Sequence, residues 1–121
     1  MKIAIVGTRT FNDYISLKEF IFKHIKFEDI THIVSGGAKG ADALAEKFAK
    51  EYGFYDNNFI VHKANWSYYG NYAGNIRNGL IARDADMLFS FWNGISPGSR
   101  DMLKKIKITG KPYFIYLYEQ R

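Results

Sequence analysis

Apolar residues along this chain follow two alternating rhythms. Short runs at residues 3–6, 31–34, 59–62, 87–91 and 113–118 read as β-strands. The first, Ile3-Ala4-Ile5-Val6, is apolar without alternation, as expected of a parallel strand covered on both faces. Between the runs, apolar positions recur with a helical period. Leu17, Phe20, Ile21, His24 and Ile25 mark one helix face. Ala41, Leu44, Ala45, Phe48, Ala49 and Tyr52 mark a second, which ends at Gly53 as a C-terminal cap. A third helix is predicted over residues 73–83, with Ala73, Ile76 and Leu80 facing inward. A fourth starts near Ser99, turns Met102, Leu103 and Ile106 inward, and stops at Gly110 with Pro112 beyond it.

Strands alternating with helices of this length predict an α/β fold, a doubly wound parallel sheet of about five strands with helices on both faces. No repeat, low-complexity stretch or linker interrupts it, so a single domain over residues 1–121 is expected. Ligands of such folds bind beyond the carboxyl ends of the strands, where strand order reverses. Four loops fall at that edge: residues 7–14, 35–40, 62–72 and 92–98.

The second of these loops carries the strongest signal. Ser35-Gly36-Gly37-Ala38-Lys39-Gly40-Ala41-Asp42 joins a strand to a helix through glycines. Glycine lets the backbone approach an anion, and the first amides of a helix lack partners within it. The plainer explanation is a tight turn needing glycine only for its geometry. Lys39 either reaches a phosphate or points into solvent, although a cation opposes the helix dipole there unless an anion is near. Asp42 is either ordinary first-turn helix chemistry or an acceptor for a ribose hydroxyl.

The other three loops add candidates. Gly7, Thr8 and Arg9 follow the first strand, and the Arg9 fork suits either a phosphate or a surface carboxylate. The spacing there matches neither G-x-G-x-x-G nor a P-loop, which disfavours the standard NAD and P-loop schemes. Trp66, Tyr68, Tyr69 and Tyr72 crowd the third loop, where Trp66 or Tyr69 would stack a base, close over a ligand, or cover one end of the core. Arg77 and Asn78 flank the predicted inward face of the third helix and project toward the same edge. Gly98 and Ser99 open the last helix, with Ser99 as a hydroxyl N-cap or part of a second anion site.

Composition narrows the classes. The chain has 121 residues, 47% of them hydrophobic, enough for one core. It lacks cysteine, which excludes a disulfide framework, a thiolate metal site and a cysteine nucleophile. His24, His32 and His62 are dispersed and no carboxylate cluster has ligand spacing, so no metal and no cofactor are expected. The apolar run at residues 3–6 is too short for a signal peptide or a membrane span, which predicts a cytoplasmic protein without a membrane partner. A net charge of +5 favours an anionic partner, small or polymeric.

Five motifs occur in order: Gly7-Thr8-Arg9-Thr10-Phe11, the Ser35 to Asp42 loop, Ala64-x-Trp66-x-x-Tyr69-Gly70, Ala73-Gly74-x-x-Arg77-Asn78, and Gly94-x-x-Pro97-Gly98-Ser99-x-Asp101-Met102. In these the chain resembles the YspA-type branch of the SLOG superfamily of Rossmann-like nucleotide-binding domains. That superfamily also holds the DprA/Smf DNA-processing proteins and the Lonely-guy phosphoribohydrolases. The resemblance implies strand order 3-2-1-4-5, a nucleotide-like ligand cradled by glycine loops, and a homo-oligomer. Lonely-guy enzymes use an arginine with the glutamate of P-G-G-x-G-T-x-x-E. Arg77 matches the arginine, but Met102 stands at the glutamate position, and a methionine cannot move a proton. The catalytic candidates are then Arg77 with Asp101 or Asp42. The leading expectation is a protein that binds a nucleotide or nucleotide-derived molecule, as sensor or sequestering agent. Behind it stand a nucleotide-processing hydrolase acting on an N-glycosidic or phosphate bond, and a binder of single-stranded nucleic acid.

Overall fold

The computed structural model describes residues 1–119. Five parallel strands, β1 (Lys2–Gly7), β2 (His32–Ser35), β3 (Phe59–Val61), β4 (Met87–Trp92) and β5 (Tyr113–Leu117), form one sheet in the order β3-β2-β1-β4-β5. This is the Rossmann-like arrangement expected. Five helices connect the strands: α1 (Tyr14–His24), α2 (Ala41–Tyr52), the single-turn α3 (Trp66–Tyr69), α4 (Ala73–Asp84) and α5 (Pro97–Thr109).

Alternation within β1 explains why the sheet needs two covering layers. Ile3 and Ile5 point into a core with Leu17, Ile21, Ala45 and Phe48, under α1 and α2. Ala4 and Val6 point the other way, against Ile81, Ala82, Met102 and Ile106 of α4 and α5. The first layer is aromatic, with Phe48, Phe89 and Phe91 among its fully buried side chains. The second is aliphatic and includes three alanines, Ala4, Ala82 and Ala85.

Local signals fix the helix ends. Asp13 caps α1 by accepting from the Ser16 amide at 3.0 Å. Gly53 and Gly110 end α2 and α5 in the left-handed conformation. Three details differ from expectation. Residues 66–72 are not a plain loop, because Asn65 caps the short α3 and a further turn follows at Gly70–Tyr72. Ser99 is not the cap of α5; Ser96 holds that position and Ser99 is third in the helix. The inward stripe of α4 is Ala73, Asn78, Ile81 and Ala82, whereas Ile76 is 39% exposed and Leu80 half-buried. Apolar periodicity misplaced that face because polar residues occupy part of it, and they line a cavity.

Candidate functional site

A cavity of about 390 Å³ opens beyond the end of β1, bounded by residues from the first turns of α2, α4 and α5. It lies on the β1/β4 side, where the chain crosses from one half of the sheet to the other. Val6, Ile81 and Met102 give it a buried apolar floor. Thr8, Arg9, Asp42, Arg77, Asn78 and Ser99 supply polar lining, and Trp66 borders it while 52% exposed.

The α2 side is set by contact between two turns. Gly40 has φ +71°, and a Cβ there would collide with the Arg9 backbone, so only glycine lets these loops meet. The Thr8 carbonyl accepts from the amides of Phe11 and Ala41 at 3.2 and 3.4 Å. In the first turn of α2, Asp42 is 6% exposed. Its Oδ2 accepts from the Ala38 amide at 3.2 Å, and its Oδ1 has no hydrogen-bond partner. Burial pushes the Asp42 carboxyl up to about 6, although the Ala38 bond and the charges of Arg77 and Arg9 pull the other way. Gly36 makes room for this group: a Cβ there would lie 2.7 Å from Arg77 Nη1 and 2.8 Å from Asp42 Oδ2.

The α5 side is built differently. Ser96 caps the helix without a side-chain bond, Pro97 follows it, and the first turn contains no acid. The Arg100 amide makes the first helical bond, to the Ser96 carbonyl at 3.2 Å. The amides of Gly98 and Ser99 precede it, so they have no acceptor within the helix. Asn93 shapes the approach, its Oδ1 accepting from the amides of Ile95 and Ser96 at 2.9 Å each. The Asn93 amide donates to Thr8 Oγ1 at 3.2 Å, tying this loop to the one after β1.

A polar brace on α4 holds the two sides together. Arg77 Nη1 donates to the Gly36 carbonyl at 3.0 Å and its Nε to Asn78 Oδ1 at 3.1 Å. Asn78 Nδ2 donates in turn to the Gly98 carbonyl at 3.2 Å and to Asp101 Oδ2 at 3.0 Å. Asp101 is also held by Lys105 Nζ at 2.7 Å.

Nine of the residues singled out in the sequence meet at the cavity: Gly7, Thr8, Arg9, Asp42, Trp66, Arg77, Asn78, Gly98 and Ser99. The others do not line it. Ser35 Oγ accepts from the Gly37 amide at 3.2 Å and donates to the Asp42 carbonyl at 3.4 Å. Gly36 supports the wall from behind, and a Cβ on Gly37 would meet Val61 and Lys63. Lys39 is exposed, Tyr69 packs edge-on against Tyr68, and Asp101 belongs to the brace. Met102 does face the cavity. Sequence reasoning missed Asn71, Gly74, Asn75 and Ser96 as lining residues, and it read Ile81 not at all. The small and polar run beside Trp66 was the available signal, since a Cβ on Gly74 would lie 3.4 Å from that ring. Among the described residues no group of His, Asp or Glu is placed to hold a metal, and no helix is long and apolar enough to cross a membrane.

Fold and cavity together define a Rossmann-like α/β protein with a small-molecule-sized recess at the carboxyl edge of its sheet. The chain belongs to the family of DNA recombination-mediator protein A, whose family model matches residues 1–90. That membership points to a DNA-processing or nucleotide-related binding role. The matched part carries Thr8, Arg9, Asp42 and Arg77, whereas the α5 side of the cavity lies beyond it. The chain is also similar to the Gene 61 protein of Mycobacterium phage D29, 28% identical over 117 residues that cover 92% of each chain. No solved structure matches it.

Proposed function

We propose that this protein binds a nucleotide or nucleotide-derived small molecule in the cavity, as a sensor or sequestering protein of the YspA type. The observation that carries this reading is the meeting of Arg9, Arg77 and the uncapped first turn of α5 around one recess. Free amides and guanidinium groups are donors only, which suits a phosphate. An apolar floor beneath them suits the face of a base or sugar. Met102 lies on that floor and Asp101 is tied to Asn78 and Lys105, so the acid that a Lonely-guy hydrolase needs at this turn is missing. Binding without release of the base by the Lonely-guy scheme is the expected behaviour, since Asp42, the acid that does line the cavity, belongs to α2 and not to this turn.

The test is calorimetry and thermal shift with a panel of nucleoside mono-, di- and cyclic phosphates. At least one should raise the melting temperature by mass action. Arg9→Ala should weaken that ligand by about ten- to a hundredfold, the worth of a charge-assisted hydrogen bond of about 1.5–3 kcal/mol. Absence of binding across the whole panel would remove the small-ligand reading.

Family membership favours a second reading, single-stranded nucleic-acid binding, and Trp66, Tyr68 and Tyr72 are exposed beside the cavity. Stacking on such rings tolerates any sequence. Tight oligonucleotide binding that persists at about 0.15 M salt and is lost in a Trp66→Ala, Tyr68→Ala double variant would put this reading first.

A further inference from the structure

Resting on the nucleotide reading above, we infer that Asp42 is the specificity-determining residue of the cavity, its free carboxylate oxygen accepting a hydrogen bond from a neutral donor on the ligand. The ligand class this defines is a phosphorylated molecule with a hydroxyl or amino group placed away from its phosphate. A ribonucleotide meets that description; inorganic phosphate and a bare phosphodiester backbone do not.

Four observations converge on Asp42. It lines the cavity, and it is almost fully buried. One oxygen is engaged by the Ala38 amide, while Oδ1 has no partner. The two guanidinium groups whose charge reaches it are not its hydrogen-bond partners. Arg77 bonds the Gly36 carbonyl and Asn78, and Arg9 lines the cavity. A buried carboxylate oxygen without a donor is costly, and folded proteins rarely tolerate one without a use. The burial that pushes this carboxyl up has the same origin. The amides at α5 offer donors, and Asp42 at α2 is the one acid of the lining among the described residues, with Arg9 and Arg77 near enough for their charges to reach it. A nucleoside monophosphate offers a group for each, an anion for the amides and guanidinium groups and neutral donors for the carboxylate.

Donors on such a ligand come from the sugar or from the base, and analogues separate them. The probes are AMP, its 2′-deoxy and 3′-deoxy forms, and purine riboside monophosphate, which lacks the amino group. Each is titrated into wild-type protein and into Asp42→Asn. In the variant, the amide oxygen can still accept from Ala38, while the group in the place of Oδ1 becomes a donor. The expected result is that one analogue binds wild type at least tenfold more weakly than AMP, and that Asp42→Asn erases the difference. A loss with a deoxy analogue assigns the sugar; a loss with purine riboside monophosphate assigns the base. Equal binding of AMP and every analogue by wild type would overturn the inference, with a water serving Oδ1 instead, while leaving the nucleotide reading intact. So would a discrimination that survives in Asp42→Asn. If none of the four probes, and nothing in the wider nucleotide panel, binds wild type, the nucleotide reading falls and the inference with it. Should the variant fail to fold, equal binding of AMP and every analogue by wild-type protein still overturns the inference.

Discussion

The amino ends of α2 and α5 both follow glycine-bearing turns and both face the cavity, yet they are satisfied in opposite ways. At α2 the protein supplies its own acceptors. The Thr8 carbonyl takes the Ala41 amide, and the Asp42 carboxylate takes the Ala38 amide just ahead of the helix. At α5 there is no acid in the first turn and no side-chain cap. A helix amino end attracts negative charge, so the same local pattern carries its own carboxylate in one place and leaves the first turn without an acid in the other. A strand–glycine–helix pattern alone therefore does not identify a phosphate site. What differs is whether the protein's own carbonyl and carboxylate already take amides of the turn.

The largest expected effect comes from replacing the glycine of the α2 turn, and its counterpart in α5 is the control. Gly40→Val should destabilise the protein by at least about 3 kcal/mol, combining overpacking with a backbone conformation that valine does not adopt. The clash is with the Arg9 backbone, which cannot rotate away as a side chain would. Gly98→Ala should be neutral or stabilise by about 0.5–1 kcal/mol, the ordinary helix preference of alanine. The nearest atom to its new Cβ would be Ser96 Oγ, 4.0 Å away. Denaturant melts of the two variants test this contrast, and similar losses in both would mean that the turns are built alike after all.

Asp42→Asn should act in the reverse direction. The Asp42 carboxyl holds its proton more tightly in the folded protein, with a pKa of about 6 against an ordinary 3.8. Its contribution therefore favours folding below the lower value and is lost as pH rises through about 6. At pH 7 the ionised group opposes folding by at most about 3 kcal/mol. Asp42→Asn should accordingly be more stable than wild type at pH 7, and the gap should close as pH falls toward 4. Subtracting the two stability curves isolates Asp42 from Asp13, Glu51 and Asp84, which are lowered and so lose their stabilising contribution as pH falls. A variant that is less stable than wild type at pH 7 would mean that the role of Asp42 is structural.

The same contrast explains what the sequence could and could not disclose. Strand positions were legible because burial on both faces of a parallel sheet writes continuous apolar runs, as in Ile3 to Val6, whereas their order followed from the family resemblance. Nine cavity-lining residues were legible because topology fixes which loops share an edge. The face of α4 was not, since Asn78 is buried beside the cavity while Ile76 lies outward, inverting the usual pattern. Nor was the division of labour between the two turns. It depends on Asp42 folding back onto Ala38 and on Asn78 and Lys105 engaging Asp101, contacts across the fold that spacing does not encode.

Lys39 gives the smallest and most discriminating effect. It stands in the glycine-rich turn most suggestive of phosphate, and a sequence-based argument gives it a ligand role. In the fold it is exposed and does not line the cavity. A cation beside the start of α2 is mildly unfavourable to the helix, so Lys39→Ala should change stability by no more than about 0.5 kcal/mol, and in the favourable direction. Affinity for whichever nucleotide binds should stay within about twofold at physiological salt, because an exposed charge outside the cavity is largely screened. Arg9→Ala, on the cavity wall, should lose about ten- to a hundredfold in the same titration. If Lys39→Ala instead costs as much as Arg9→Ala, the phosphate sits at the α2 turn, and the uncapped end of α5 is not what receives it.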